Sequence, residues 1–295
     1  MRFSDAVHAF VRSLRRRNRS TRTIENYGYW LDDFQRFHGD AALAAITVHD
    51  LRAWLDATLE ERKVGAYTLW TMVVTVQAFF NWCVREGLLE ASPAQALEKP
   101  RLPQRLPKAL EVDDVQRLLR AAREGKHPER DVALLLFMLD TGVRLGAVAS
   151  LTLDCLYLGK SMALVHTKGD VELSVFFDAA TKQALLQWLQ VRDPDMFRMG
   201  VPANSVFGLR PAGIRQVIRR WRTRAGLRRR VSAHTFRHTS ATWRVERGIS
   251  EQALQQIMGW RDSRMANVYT RLASHRLRRI SQATSPIAML NLDDI

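Results

Sequence analysis

His234 and Arg237, in the segment His234-Thr235-Phe236-Arg237, are the first side chains whose types and spacing could do chemistry together. Residues three apart share one face of a helix, so this imidazole and this guanidinium can converge on a single small anion. A histidine that begins a helix and an arginine on that helix's surface would give the same spacing. The pair therefore defines a candidate anion site that needs support from other residues.

The segment Thr141-Gly142-Val143-Arg144 supplies a second candidate cation. This glycine-broken turn follows the apolar run 132–139, which predicts a buried helix. We expect Arg144 to be buried behind that helix, where its charge is unfavourable unless it meets an anion.

Three further candidates lie later in the chain. Lys168 falls in the turn Thr167-Lys168-Gly169-Asp170 of a predicted β-hairpin, which would hold its ammonium group at a projecting tip. Trp260 follows Gly259 and precedes Tyr269 by nine residues. Tyr269 could also be an aromatic side chain that only packs within a short helix, without a catalytic role.

Two helical or mostly helical domains are expected to position these residues. Apolar residues recur at spacings of three and four over residues 2–96, which predicts four amphipathic helices, the third capped by Thr47 and the fourth over 66–85. A segment rich in proline and basic residues, 99–108, is predicted to be an extended linker. The domains are therefore predicted as 1–98 and 109–295.

The second domain is predicted to be α+β, with mostly helix and a small antiparallel sheet. Its strands are expected in a hairpin at 161–166 and 171–177. Helices are expected at 112–123, 130–140, 179–191, 212–225, 234–247 and 251–258.

The composition favours a polyanion as partner. Lys and Arg number 45 and Asp and Glu 30 in 295 residues, so the net charge is +15. Nucleic acid and an anionic membrane surface both attract such a protein. The hydrophobic content of 46% excludes wholesale disorder, and no run approaches the ~18 apolar residues of a membrane span. We expect an intracellular protein that needs no membrane.

Two cysteines, Cys83 and Cys155, are too few for a disulfide framework, and neither has a CxxC neighbour for zinc. Both lie in apolar surroundings, which is typical of small core residues in a reducing compartment. We therefore predict a cytoplasmic location.

Arginine is concentrated in two runs that contain no acidic residue. Six arginines fall between residues 12 and 22, and nine fall between 210 and 230. A solvated helix face normally mixes both signs, so these runs favour a surface that faces phosphates, although an idle basic surface stays open. The predicted DNA-contacting residues are Arg15, Arg16, Arg17, Arg19, Arg22, Arg101, Arg105, Lys108, Arg215, Arg219, Arg220 and Arg222.

The order and spacing of the candidate residues resemble the catalytic domain of the tyrosine recombinase (phage integrase) family, including Xer-like recombinases and the integrases of transposons and phages. The residues that carry the resemblance are Arg144, Lys168, His234, Arg237, Trp260 and Tyr269. The helical domain and basic linker that precede them resemble the family's core-binding, SAM-like domain. The resemblance thus covers nearly the whole chain.

Two positions depart from the family's usual pattern. The family usually reads Thr-Gly-x-Arg-x-x-Glu, whereas this chain has Ala147 at the acidic position. The missing carboxylate puts the bracing of Arg144 in doubt. The family often has histidine where this chain has Trp260, although Cre-like members also use tryptophan. An indole N–H can donate a hydrogen bond to a phosphate oxygen but cannot shuttle protons.

The resemblance implies how DNA would be cut. Tyr269 would attack the scissile phosphate and form a 3′-phosphotyrosyl link, and Arg144 and Arg237 would clamp the non-bridging oxygens. Religation to the 5′-hydroxyl of another strand would then need no ATP.

The same resemblance gives roles to the remaining candidates. Lys168 would protonate the departing 5′-oxygen. His234 would assist proton removal from Tyr269 or orient the phosphate, and Trp260 would complete the pocket. No Asp and Glu cluster suggests catalytic Mg²⁺, and we expect neither a metal nor another cofactor.

The resemblance also implies an assembly on DNA. The segment 286–295 is apolar and then acidic, and it is either a frayed terminus or a segment donated in trans to a neighbouring subunit of a homotetramer bound to the duplex recombination site. An accessory protein that sets direction would be a further partner, and the location would be nucleoid-associated. A type IB topoisomerase-like enzyme and a non-catalytic DNA-binding protein stay open as alternatives.

Overall fold

The computed structural model describes residues 1–103, 109–167, 171–260, 262, 265, 266, 268 and 269. The chain divides between residues 105 and 106 into two compact units, and this division falls within the segment predicted as a linker. The predicted fold class is confirmed, because the chain is mostly helical and carries one small antiparallel sheet in the second unit.

The first unit contains the four predicted helices. They are α1 (Phe3–Arg16), α2 (Thr21–His38), α3 (Val48–Arg62) and α4 (Ala66–Arg85). The side chain of Thr47 caps α3 by accepting a hydrogen bond from the Asp50 amide at 3.3 Å, as predicted. The apolar stripes of the helices meet in a core centred on packed aromatic side chains, of which Phe3, Phe34, Phe79 and Trp54 are fully buried.

The second unit contains seven further α-helices among the residues that the structure describes. They are α5 (Val112–Arg123), α6 (Pro128–Thr141), α7 (Leu145–Ala149), α8 (Ala179–Val191), α9 (Pro211–Arg224), α10 (Ala233–Glu246) and α11 (Glu251–Met258). The predictions at 112–123, 179–191 and 251–258 have the observed bounds, and the others differ by one or two residues at their ends.

The sheet consists of β1 (Leu156–Tyr157), β2 (Met162–Thr167) and β3 (Val171–Phe176), in that spatial order and antiparallel. The predicted hairpin is confirmed, with Met162 opposite Phe176 and Thr167 opposite Val171. Strand β1 was not predicted, because two residues are too few to produce a periodic signal.

Two apolar clusters organise the second unit. The larger one surrounds α6, whose Leu134, Leu135 and Phe137 are fully buried, so the prediction of a buried helix over 132–139 is confirmed. A smaller cluster joins α10 and α11 to Trp260 and Tyr269. No helix in the described part of the chain is both long and apolar enough to cross a membrane.

Candidate functional site

The start of α10 is fixed by a reciprocal cap. The Thr235 amide donates to the Ser232 hydroxyl at 3.3 Å, and the Ser232 amide donates to the Thr235 hydroxyl at 3.0 Å. The cap begins the helix at Ala233, one residue before the predicted start. The first turns of α10 therefore carry His234, Arg237 and His238 in a defined orientation.

Arg237 is held by the C-terminal ends of two other helices. Arg237 is 5% exposed, and its guanidinium donates to the carbonyl oxygens of Gly142 at 2.7 Å and Met258 at 2.6 Å. Carbonyl groups at the C-terminal end of a helix lack N–H donors within their own helix, and the helix dipole makes them favourable partners for a cation. The two bonds thus place a buried positive charge at the junction of α6, α10 and α11.

Two glycines make this junction possible. Gly142 ends α6 with φ +62°, and a Cβ there would lie 2.9 Å from the Cε atom of Met258. Gly259 ends α11 with φ +58°, and a Cβ there would lie 2.7 Å from a methyl carbon of Leu173. Both positions combine a left-handed backbone with a close approach, which favours glycine over every other residue.

Arg144 is exposed, so the prediction that it is buried behind the apolar helix is wrong. The left-handed turn at Gly142 directs Val143 into the core instead, where it is 3% exposed, and leaves Arg144 at the N-terminal cap of α7. Burial lowers the pKa of both His234 and Arg237, and the positive charge of Arg144 lies near enough to add to both shifts. It is a solvent-accessible cation beside a buried one.

Ala147, at the position where the resemblance leads one to expect glutamate, is buried in α7 and belongs to the larger apolar cluster. Among the described residues Arg144 forms no ion pair with an acid. Its charge is thus available to an anionic ligand.

Tyr269 is buried in the smaller cluster and has two aromatic neighbours. Its ring stacks on that of Trp260, with centroids 5.2 Å apart and planes inclined by 11°. Its hydroxyl is in hydrogen-bond contact with Nδ1 of His238. The Arg237 guanidinium lies 5.6 Å from the centre of the Trp260 ring, a cation–π distance. Phenol, indole, imidazole and guanidinium therefore form one continuous group.

Burial sets the protonation states of this group. It raises the pKa of Tyr269 to about 12, an effect that the nearby Arg237 partly opposes. Burial, with His234 and Arg237, lowers the pKa of His238 to about 4. Burial also lowers the pKa of Arg237 to about 10, with Arg144 adding to the effect. At neutral pH the phenol is protonated, His238 is neutral and Arg237 is charged.

The arrangement can bind an anion beside a nucleophile. His238 contacts the Tyr269 hydroxyl, and Arg237 lies near enough to affect its pKa. His234 lies against His238, and the charge of Arg144 acts on Arg237. In the described part of the chain no group of three His, Cys, Asp or Glu could hold a metal ion. A phosphodiester is an anion of suitable chemistry for paired guanidinium groups. To attack a phosphodiester, the Tyr269 hydroxyl must give its proton to an acceptor. A hydroxyl with a pKa of about 12 is ionised in only about one molecule in 10⁵ at pH 7.

The structure brings together five of the six catalytic candidates: Arg144, His234, Arg237, Trp260 and Tyr269. Lys168, the sixth, lies outside the described residues.

His238 belongs to the site, although it is not among the residues predicted from the sequence. It follows His234 by four residues, and that spacing on the predicted helix over 234–247 would have placed both imidazoles on one face. A second histidine on the face of the candidate pair was therefore the available signal.

Most of the candidate DNA contacts are exposed. The exposed ones are Arg15, Arg16, Arg17, Arg19, Arg22, Arg101, Arg215, Arg219 and Arg220, whereas Arg222 is half-buried. Arg105 and Lys108 lie outside the described residues. Arg219 and Arg220 line a shallow groove along α9 with Gln216, Thr223 and Arg224.

Some arginines in the second basic run have structural partners. Arg210 donates to the carbonyl of Met199 at 2.7 Å, and Arg229 pairs with Asp114 at 3.1 Å. Arg224 donates to the carbonyl of Ala121 at 2.8 Å. These three arginines bind acceptors within the protein, so only part of the run is available as a basic surface for DNA.

Family models match most of the chain. Residues 108–276 match the model "Phage integrase family", and residues 7–87 match the model "Phage integrase, N-terminal SAM-like domain". The chain belongs to the phage integrase family, the tyrosine recombinases.

Curated relatives are recombinases of this family. Tyrosine recombinase XerC of Alcanivorax borkumensis is 31% identical over 297 residues, which cover 98% of this chain and 96% of the relative. Tyrosine recombinase XerC of Corynebacterium efficiens is 31% identical over 254 residues, covering 83% of this chain and 80% of the relative. Membership of this family supports site-specific recombination of DNA as the general activity.

Solved structures have the same fold. A lambda integrase (75–356) dimer bound to a COC′ core site matches with a TM-score of 0.73 and 18% identity, covering 90% of this chain and 97% of that one. The XerH recombinase in a post-cleavage complex with a palindromic difH substrate matches with a TM-score of 0.71 and 20% identity. The match covers 92% of this chain and 82% of that one.

Proposed function

We propose that this protein is a site-specific recombinase that cleaves and rejoins DNA strands through a 3′-phosphotyrosyl intermediate. The contact group around Tyr269 carries the proposal, because it joins a buried phenol to a proton acceptor and lies beside paired arginines. In this proposal the chemistry needs neither a metal ion nor ATP.

The cleavage step uses the candidate residues as follows. Arg144 and Arg237 bind the non-bridging oxygens of the scissile phosphate and stabilise the charge of the phosphorane. The Oη atom of Tyr269 forms the bond to phosphorus while the bond to the 5′-oxygen breaks. Lys168 gives a proton to that oxygen, and Trp260 donates its indole N–H to the phosphate.

The rejoining step reverses this sequence on another strand. A 5′-hydroxyl attacks the phosphorus of the phosphotyrosyl link and gives its proton to Lys168. The bond from phosphorus to Oη of Tyr269 breaks, the phenol regains a proton, and the phosphodiester is restored. The covalent link conserves the energy of the broken bond, which is why no ATP is required.

Strand exchange between two duplex sites requires several copies of the chain. We propose a homotetramer on DNA, in which the segment 286–295 of each copy packs on a neighbour. A known structure of similar fold is described as a lambda integrase tetramer bound to a Holliday junction, which supports this assembly by analogy. Residues 286–295 lie outside the described residues.

The two units have different roles on DNA. Residues 1–98 form a core-binding domain, 99–108 a basic linker and 109–295 the catalytic domain, and the exposed arginines bind backbone phosphates. The substrate lies in the nucleoid of the cytoplasm, where an accessory protein could set the direction of the reaction.

A strand-exchange assay tests the proposal. Purified protein is mixed with two duplexes that carry its recombination site, one of them labelled, and recombinant products are followed with and without a chelator. We expect recombinant duplexes in the presence of chelator, no products from Tyr269→Phe, and unchanged products from Tyr157→Phe, an exposed tyrosine of β1. Relaxation of supercoiled DNA without strand exchange would instead favour the topoisomerase-like alternative, and DNA binding without cleavage would favour a non-catalytic protein.

A further inference from the structure

The hydroxyl of Tyr269 contacts His238, which is not among the six residues that carry the resemblance to tyrosine recombinases. The contact involves Nδ1 of His238, and the two rings have centroids 5.7 Å apart. His234 meets His238 edge to face at 5.1 Å and is itself exposed. Among the described residues, no hydrogen bond joins His234 to Tyr269. His238 is therefore better placed than His234 to receive the tyrosyl proton.

The direction of the hydrogen bond follows from the protonation states. The pKa of Tyr269 is raised to about 12 and that of His238 is lowered to about 4, so both groups are neutral at pH 7. A neutral phenol has one proton to donate, and a neutral imidazole accepts it at the unprotonated nitrogen. His238 thus carries its own proton on Nε2 and leaves Nδ1 open toward Tyr269.

We propose that His238 is a catalytic residue, the proton acceptor for Tyr269 during cleavage, and that His234 serves the phosphate instead. This inference rests on the proposed function. As the Oη–phosphorus bond forms and the bond from phosphorus to the 5′-oxygen breaks, the phenol proton moves to Nδ1 of His238. The 5′-oxygen receives a different proton, from Lys168. When the strand is rejoined, His238 returns its proton to the departing Oη of Tyr269.

The charges around His238 restrict this transfer to the DNA complex. Within the part of the chain that the structure describes, the titratable groups that face His238 are His234 and Arg237 on α10 and Tyr269 opposite. Arg237 disfavours a second positive charge, so without DNA the imidazolium is unfavourable and Tyr269 stays protonated. A bound phosphodiester adds a negative charge beside the two arginines, which favours protonation of His238. The nucleophile is therefore activated only where a phosphate is present.

A purely structural role for His238 makes a different prediction. If His238 only holds the hydroxyl in place, an asparagine should replace it, because the asparagine amide can reach about the same position as Nδ1 and can accept the same hydrogen bond. An amide cannot take a proton at neutral pH. The His238→Asn variant thus separates positioning from proton transfer.

The test is single-turnover cleavage of a nicked suicide substrate by the full-length protein between pH 6.5 and 8.5. The variants are His238→Asn and His238→Ala, and the matched control is His127→Asn, a histidine at the start of α6 outside the site. Thermal unfolding and DNA mobility shifts establish that each variant folds and binds. General-base catalysis contributes about 10²–10⁴-fold, so we expect a loss of that size in both His238 variants and none in the control.

The pH dependence distinguishes the roles. The wild-type rate should be flat across this range, because His238 stays neutral. The rates of both His238 variants should rise about tenfold per pH unit, since they depend on phenolate formed without a base and the pKa of Tyr269 is about 12. A wild-type rate in His238→Asn, or a slow rate that does not change with pH in both variants, would overturn the inference.

The proposed function fails under a separate outcome. Adducts formed by Tyr269→Phe would contradict the nucleophile itself. If Tyr269→Phe forms no adduct while the His238 variants cleave normally, the inference about His238 fails and the proposed function stands.

Discussion

Tyr269 lies face to face with Trp260, at a centroid distance of 5.2 Å and an interplanar angle of 11°. The stack fixes the plane of the phenol, and the contact with His238 fixes the direction of its hydroxyl. Both contacts act on a side chain that is only 1% exposed, so packing restricts the phenol of Tyr269. The hydroxyl that we propose as the nucleophile is thus held by contacts within the protein itself.

Truncation of Trp260 should therefore reduce cleavage more than binding. Trp260→Ala removes the stacking surface and leaves a cavity, and we expect it to destabilise the protein by about 3 kcal/mol and to slow adduct formation. Trp260→Phe keeps an aromatic face and should retain most of the stability. Thermal unfolding and single-turnover cleavage measure the two effects. Equal cleavage by the Ala and Phe variants would show that the stack does not position Tyr269.

Substitution of Gly142 should reduce both the stability of the protein and the rate of cleavage. Gly142→Ala places a methyl group on a left-handed backbone, 2.9 Å from the Met258 side chain, and disturbs the carbonyl that holds Arg237. We expect a loss of about 1–3 kcal/mol in unfolding free energy and slower cleavage.

Gly159→Ala is the matched control for this change. Gly159 lacks a positive φ and has open space around its Cβ position, so its substitution should be neutral. Unfolding in urea compares the two variants, and equal stability would contradict the strain assigned to Gly142.

The local patterns of the sequence predicted most of the fold. Helix periodicity, helix caps and hairpin turns depend on residues that are neighbours in sequence. The helix over 251–258 and the hairpin of β2 and β3 were therefore predictable from the sequence. The exposure of Arg144 was not predictable in this way, because the turn at Gly142 decides whether Val143 or Arg144 enters the core. The contact between His238 and Tyr269 joins residues 31 apart and depends on how α10 packs against the segment beyond α11.

Lys168 can be tested with a substrate that needs no acid. Lys168→Ala should cripple cleavage of normal DNA, because the 5′-alkoxide leaves poorly without a proton. A 5′-bridging phosphorothioate has a far better leaving group and should restore cleavage by this variant. Arg237→Ala should stay defective on both substrates, since its loss leaves charge on the phosphorane unbalanced. Equal defects of both variants on both substrates would remove Lys168 as the acid.

Salt dependence tests the arginines of α9. Arg219→Ala and Arg220→Ala should each reduce the slope of log K against log salt by about 0.9 if each side chain neutralises one phosphate. Arg219→Lys keeps the charge and should keep the wild-type slope. Binding titrations between about 50 and 200 mM salt provide the slopes. Unchanged slopes in both alanine variants would exclude these residues from the DNA interface.

The covalent adduct on a nicked suicide substrate is the most direct test of the whole account. Protein trapped on this DNA is digested, and the peptide that carries nucleotide is identified by mass spectrometry together with the polarity of the attached strand. We predict one modified residue, Tyr269, joined to a 3′-phosphate, and no adduct from Tyr269→Phe. Attachment at another residue, attachment to a 5′-phosphate, or cleavage without any adduct would contradict the account.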